Sequence, residues 1–205
     1  MIKAVIFDYG GVMKKSGHPL IVYVAKICGV SEEVLDTKKV EIREIGRQLV
    51  KGLISDEQLW KEIGEIISKP IPNDSTELAK KFYKESLVFL PGMIDLVKKL
   101  KSRKIKTAVL SNISKSNAEL IREKNGYNGF DEVVLSYEVG MRKPELEIYT
   151  LTVNKLGMKP EECLFIDDAE GNLVPAEKLG MKTVLFENPK QAVKDIQNII
   201  KKENN

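Results

Sequence analysis

Residues 2–7 form an almost continuous apolar, β-branched run, the pattern of a strand covered on both faces. Four more short apolar runs, at 107–110, 133–135, 163–166 and 183–186, are bounded by polar or turn residues and read as strands too. Amphipathic stretches of helical length separate most of them. Within 93–103, Ile94, Val97 and Leu100 recur at helical spacing, Lys98, Lys99 and Lys101 occupy the other face, and Pro91 fits the helix start. Residues 114–124, 144–156 and 172–179 read the same way, and Gly157 and Gly180 stand where left-handed C-caps belong. Strand and helix in alternation predict an open, mostly parallel α/β sheet, in which ligands bind beyond the carboxyl ends of the strands.

One region breaks this alternation. From residue 14 to about 87 the chain shows helical periodicity and no convincing strand. Ile42, Ile45, Leu49 and Val50 form one stripe, and Leu59, Trp60, Ile63, Ile66 and Ile67 another, introduced by a Ser55-Asp56-Glu57 N-cap. Pro70 and Pro72 punctuate the run before a helix containing Leu78, Phe82 and Leu87. The expected organisation is a Rossmann-like α/β core, residues 1–13 and 89–205, carrying an all-helical cap at 14–88.

Composition narrows the function classes without choosing among them. With 42% hydrophobic and 31% charged residues in 205, the chain can bury a core and shows no bias towards disorder. The net charge of +3 is spread along the sequence, so no nucleic-acid partner is implied. No apolar segment approaches a membrane span, and the first run is too short for a signal peptide. Cys28 and Cys163 are far apart and lack metal-ligand spacing, which suits a reducing, cytoplasmic setting. The polar end at 201–205 is expected to be a solvated tail.

The candidate chemistry falls just after the predicted strands. Asp8 could attack phosphorus as a carboxylate nucleophile, or merely cap a helix. Ser111 and Asn112 could donate hydrogen bonds to phosphate oxygens, or simply open the next helix. Lys143 could neutralise a phosphate and keep a nearby nucleophile ionised, with Pro144 starting the following helix. Asp167 and Asp168 are adjacent carboxylates whose repulsion calls for a compensating cation, for which Mg²⁺ is the natural choice. His18 and Tyr9 can each be read as site wall or as filler.

Taken in order, Phe7-Asp8-Tyr9-Gly10-Gly11-Val12, Val109-Leu110-Ser111-Asn112, Gly140-Met141-Arg142-Lys143-Pro144 and Phe165-Ile166-Asp167-Asp168 resemble the four successive motifs of the haloacid dehalogenase superfamily. The resemblance implies a hydrolase of small phosphate monoesters, sugar phosphates included, that works through an aspartyl phosphate on Asp8. It implies Mg²⁺ held by Asp8, the main-chain carbonyl of Gly10 and Asp168, with Asp167 bound directly or through water. Ser111, Asn112 and Lys143 would hold the phosphate of a small phosphorylated metabolite, and Asp8 and Lys143 would be catalytic. Phosphatases of the family usually carry a second aspartate two residues beyond the nucleophile as general acid and base; this chain has Gly10 there. Two alternatives accommodate that departure. One is 2-haloacid dehalogenase chemistry, in which the halide leaves without a proton. The other is a catalytically weakened core that binds a metabolite or a protein.

Overall fold

The computed structural model describes residues 1–204. Strands β1 (Ala4–Phe7), β2 (Lys106–Ser111), β3 (Glu132–Leu135), β4 (Cys163–Asp167) and β5 (Lys182–Leu185) form a parallel sheet in the order β3-β2-β1-β4-β5. β1 lies at its centre, which is why every residue in it is apolar. Val5 and Phe7 enter one hydrophobic cluster and Ala4 and Ile6 another on the opposite face, the period-two partition of a pleated strand.

Between β1 and β2 the chain forms α1 (Leu20–Cys28), α2 (Glu32–Thr37), α3 (Lys39–Val50), α4 (Asp56–Ile67) and α5 (Ser75–Glu85). These helices bury a cluster of their own around Ile42, Ile45, Leu59, Trp60 and Ile63. The start of α4 follows the predicted capping chemistry. Ser55 Oγ accepts from Gln58 N, and Gln58 Oε1 accepts from Ser55 N at 2.9 Å. The insertion joins the core through two neighbouring chain segments, where Lys15 N donates to Val88 O (2.8 Å) and Leu90 N to Met13 O (2.9 Å).

The remaining helices cover the two sheet faces. On one face α6 (Pro91–Ser102), α7 (Lys115–Glu123) and α11 (Pro189–Glu203) contribute Met93, Leu96, Leu100, Ile121, Ile196 and Ile200. On the other, α9 (Leu146–Leu156) and α10 (Glu170–Lys178) contribute Ile148, Tyr149, Val153 and Leu173. A short α8 (Ser136–Val139) follows β3.

Three local expectations need correction. Ile94 is 37% exposed, because α6 turns Met93, Leu96, Val97 and Leu100 to the sheet instead. Pro144 does not start α9: the Lys143–Pro144 peptide is cis, Glu145 is the N-cap, and the helix begins at Leu146. Gly157 and Gly180 both take the positive φ expected of them, and α10 ends after Leu179 with Gly180 N donating to Glu177 O (2.9 Å) and Met181 N to Ala176 O (3.0 Å), the bonds of a glycine-terminated helix. The C-terminal residues are no free tail. α11 runs through Glu203, and the Asn204 side chain accepts from Ile2 N (2.7 Å) and donates to Ile2 O (3.2 Å); Asn205 lies outside the described residues. A side-chain amide that matches both backbone polar groups of one residue pins the last helix to the segment that leads into β1.

Candidate active site

Sheet register brings the sequence-predicted residues together. β1 pairs with β4 so that Phe7 lies beside Ile166, and Asp8 N donates to Ile166 O at 2.8 Å. Asp8 and Asp167 therefore leave the sheet side by side at its carboxyl edge, with Ser111 ending β2 on the other side of β1. One carboxylate oxygen from each of Asp8, Asp167 and Asp168 lies within 4.8 Å of the others. Three oxygen donors this close suit a hard divalent cation that completes its shell with other oxygens.

Lys143 reaches this cluster from the loop before α9 and is 1% exposed. Its ammonium donates to Asp8 Oδ1 at 2.7 Å and to Asp167 Oδ2 at 2.5 Å. Burial opposes its charge, yet the two carboxylates outweigh that and hold its pKa above the ordinary lysine value. Asp8 behaves differently. Burial pushes its pKa up to about 6; Lys143 opposes that shift and the neighbouring Asp167 adds to it. A divalent cation placed among the carboxylates would oppose the same repulsion and favour ionised Asp8 at neutral pH.

The Asn112 side chain grips the backbone of Lys143. Its Nδ2 donates to Lys143 O (2.9 Å) and its Oδ1 accepts from Lys143 N (2.8 Å). Its oxygen and one of its two N–H donors are engaged by the lysine backbone, so Asn112 positions Lys143 and keeps a second N–H. Asn172, which sequence reasoning missed, does comparable work on Asp167. Its Nδ2 donates to both carboxylate oxygens at 3.0 Å, and Ala169 N donates to Asp167 Oδ1 at 2.8 Å. Such outer partners fix the direction in which a ligating carboxylate points.

Asp168 is more exposed, and its pKa is raised by burial and by Asp167; Ser16 Oγ donates to its Oδ2 at 3.3 Å. Gly11 explains how it can sit there. A Cβ at Gly11 would lie 2.0 Å from Asp168 Oδ2, and the residue has φ +94°. Gly11→Ala is expected to displace Asp168 and to raise the Mg²⁺ concentration that half-saturates activity about 10- to 100-fold. Titrating activity against Mg²⁺ in wild type and variant checks this, and coincident curves would count against it.

A cavity of about 370 Å³ opens beside the cluster. Gly10, Lys14 and Ser111 line it from the core side, and Tyr23, Leu59 and Trp60 from the helical insertion. Lys14 is the largest omission of the sequence reading. It is 3% exposed, its ammonium donates to Lys15 O at 3.0 Å, and it lies 5.1 Å from the Tyr83 ring centroid. Burial lowers its pKa, against the pull of Asp8 and Asp168. The signal was faint, one lysine among many, and only the pairing of its backbone with Gly10 and Phe89 brings it to the site. His18 lies on the cavity wall near Tyr23. Tyr9 also borders the cavity, but it is 1% exposed and its hydroxyl donates to Gly126 O, so it serves the core as well.

A parallel α/β core with a carboxylate cluster and a buried lysine at its carboxyl edge, under a helical insertion, defines the class as a hydrolase of the haloacid dehalogenase type. The chain belongs to the haloacid dehalogenase-like hydrolase family, whose model matches residues 2–180. It is 26% identical over 200 residues to the D-ribitol-5-phosphate phosphatase of Bacteroides thetaiotaomicron, covering 92% of this chain and 93% of that protein. It is 28% identical over 207 residues to mouse acyl-CoA dehydrogenase family member 10, covering 97% of this chain but only 19% of that longer protein. A solved HAD family enzyme of Bacteroides thetaiotaomicron, in complex with magnesium and inorganic phosphate, is similar with TM-score 0.73 and 28% identity over 91% of this chain and 95% of that one. No helix among the described residues is long and apolar enough to cross a membrane.

Proposed function

We propose that this hydrolase cleaves small phosphate monoesters, sugar phosphates among them, in a Mg²⁺-dependent reaction through an aspartyl phosphate on Asp8. The observation that carries the reading is the carboxylate triad Asp8, Asp167 and Asp168 with Lys143 bonded to two of its members. The phosphatase relative and the magnesium- and phosphate-bound HAD enzyme support the same reading. Asp8, Asp168 and the Gly10 carbonyl would hold the ion, with Asp167 binding directly or through water. Bound there, Mg²⁺ would neutralise charge on the phosphate and orient it.

The residues of the chain supply the remaining steps. Lys143 spends two of its three N–H donors on carboxylates, leaving the third for a phosphate oxygen, which Ser111 binds from the end of β2. The carboxylate oxygen of Asp8 attacks phosphorus, and the ester P–O bond breaks with its electron pair on the departing oxygen. Water then attacks the phosphorus of the aspartyl phosphate and returns Asp8 to a carboxylate. Helices α1–α5 act as a cap over the cavity, and their side chains select the organic group.

The test is a panel of sugar, alkyl and aryl phosphates, with 2-haloacids alongside, assayed with Mg²⁺ and with a chelator. Phosphate release that requires Mg²⁺ is expected. Three clustered carboxylates repel an anionic haloacid when no cation is bound, so halide release is not expected. Metal-independent halide release would replace this reading with the dehalogenase, and silence on every ester would leave a binding module.

A further inference from the structure

Gly10 leaves the second position beyond Asp8 without an ionisable side chain, and a Cβ built there meets nothing within 4 Å. Gly10 and Lys14 both line the cavity, and the Lys14 ammonium lies 3.8 Å from where a Cβ on the cavity-lining Gly17 would stand. The two buried lysines differ in their partners. Lys143 is bonded to two carboxylates, whereas among the described residues Lys14 forms no ion pair within 4.0 Å, and its hydrogen bond goes to the neutral carbonyl of Lys15. An ammonium has three donors, so two remain for a ligand. The backbone fixes this charge close to the nucleophile. Lys14 N donates to Tyr9 O (3.1 Å), Gly11 N donates to Lys14 O (2.9 Å), and Tyr83 of α5 covers the side chain from the insertion.

We propose that Lys14 is a catalytic residue that stabilises the leaving oxygen of the phosphate ester, supplying by fixed charge part of what Gly10 lacks. The proposal rests on the phosphatase reading above. As the Asp8 oxygen bonds to phosphorus, the ester P–O bond breaks and the electron pair stays on the organic oxygen. The Lys14 ammonium meets that charge with a hydrogen bond. The alkoxide takes its proton from water, and the hydroxide equivalent so formed attacks the aspartyl phosphate, so one water is consumed per ester. Substrates that depend on Lys14 are phosphates of ordinary alcohols, whose alkoxides are poor leaving groups; a nitrophenolate departs unaided.

The experiment compares wild type, Lys14→Gln and Lys14→Arg on an alkyl phosphate and on p-nitrophenyl phosphate, at a temperature below the melting transition of each. Gln keeps only a neutral and shorter N–H donor, and loss of one preorganised charged donor to a developing oxyanion costs about 100-fold. Lys14→Gln should therefore lower kcat about 100-fold on the alkyl ester while changing it less than about fivefold on the aryl ester. Lys14→Arg should fall between wild type and Lys14→Gln on the alkyl ester. Equal losses on both substrates, or no loss on either, would overturn the proposal. Should Lys14→Gln not fold, Lys14→Arg carries the same comparison, a larger loss on the alkyl than on the aryl ester supporting the proposal and an equal one refuting it. Wild-type turnover of p-nitrophenyl phosphate that Asp8→Asn abolishes tests the phosphatase reading separately, so the two can fail independently.

Discussion

Asp8→Asn should reduce phosphate release by on the order of 10⁴-fold or more, the scale seen when a covalent nucleophile is removed. The amide keeps the shape of the carboxylate but lacks its charge and nucleophilicity, so the phosphoryl group has no acceptor on the enzyme. The fold should survive. Asp8 carries a buried charge whose pKa is already pushed up to about 6 by burial, so neutralising it removes a desolvation cost while Lys143 retains Asp167 as its counter-ion. Phosphate release in steady state and a thermal melt of the same preparation make the measurement. Asp8→Ala serves as control against Asn reverting to Asp by deamidation. Activity within tenfold of wild type in both variants would remove Asp8 from the mechanism.

Lys143→Met should be the most destabilising single change at the site. Lys143 is 1% exposed and is the counter-ion of Asp8 and Asp167, which are themselves 7% and 0% exposed. Removing one member of a buried ion pair costs about 3–5 kcal/mol, because the other charge stays buried without compensation. Denaturant unfolding in the presence of a chelator should show that loss, and added Mg²⁺ should recover part of it, since a divalent ion offers the carboxylates a new counter-charge.

The sign of the pH dependence follows from the same geometry. Without Lys143 the folded pKa of Asp8, already pushed up by burial, rises further above its unfolded value. The folded variant then binds a proton more readily than the unfolded chain, so its penalty relative to wild type is largest at neutral pH and shrinks on acidification through the raised Asp8 value. Unfolding free energies equal to wild type in chelator at neutral pH would contradict this account. So would a penalty that grows as pH falls. Activity should fall with stability, by about 10²- to 10³-fold where the fold persists, for want of the donor to the transferring phosphoryl group.

Much of the core was legible because its signals are local. A central parallel strand must be apolar on both faces, so residues 2–7 and 163–166 announce β1 and β4 through composition alone. The polar residues that interrupt such runs fall at strand ends, and this placed Asp8, Ser111, Asp167 and Asp168 correctly at the carboxyl edge. The stripes around Ile42 and Trp60 likewise predicted helices that bury a cluster of their own. Even α6, whose extent was read well, exposed the limit of periodicity: the buried stripe is centred on Met93, Leu96 and Leu100, and Ile94 faces outward.

The partnerships were not legible, since nothing local distinguishes the lysine that packs against Tyr83 from lysines that face solvent. Nothing near Asn112 in sequence shows that its amide grips the Lys143 backbone, 31 residues away. Asn172 beneath Asp167 and Asn204 on Ile2 belong to the same category. The sequence by itself determined which segments pair into the sheet and which polar side chains stand at its functional edge, because those depend on apolar patterning over a few residues. Only the tertiary structure decided which asparagine aims Lys143, and how Lys14 comes to line the cavity with no ion-pair partner among the described residues. Those outcomes depend on hydrogen bonds and charges brought together by packing across long stretches of chain.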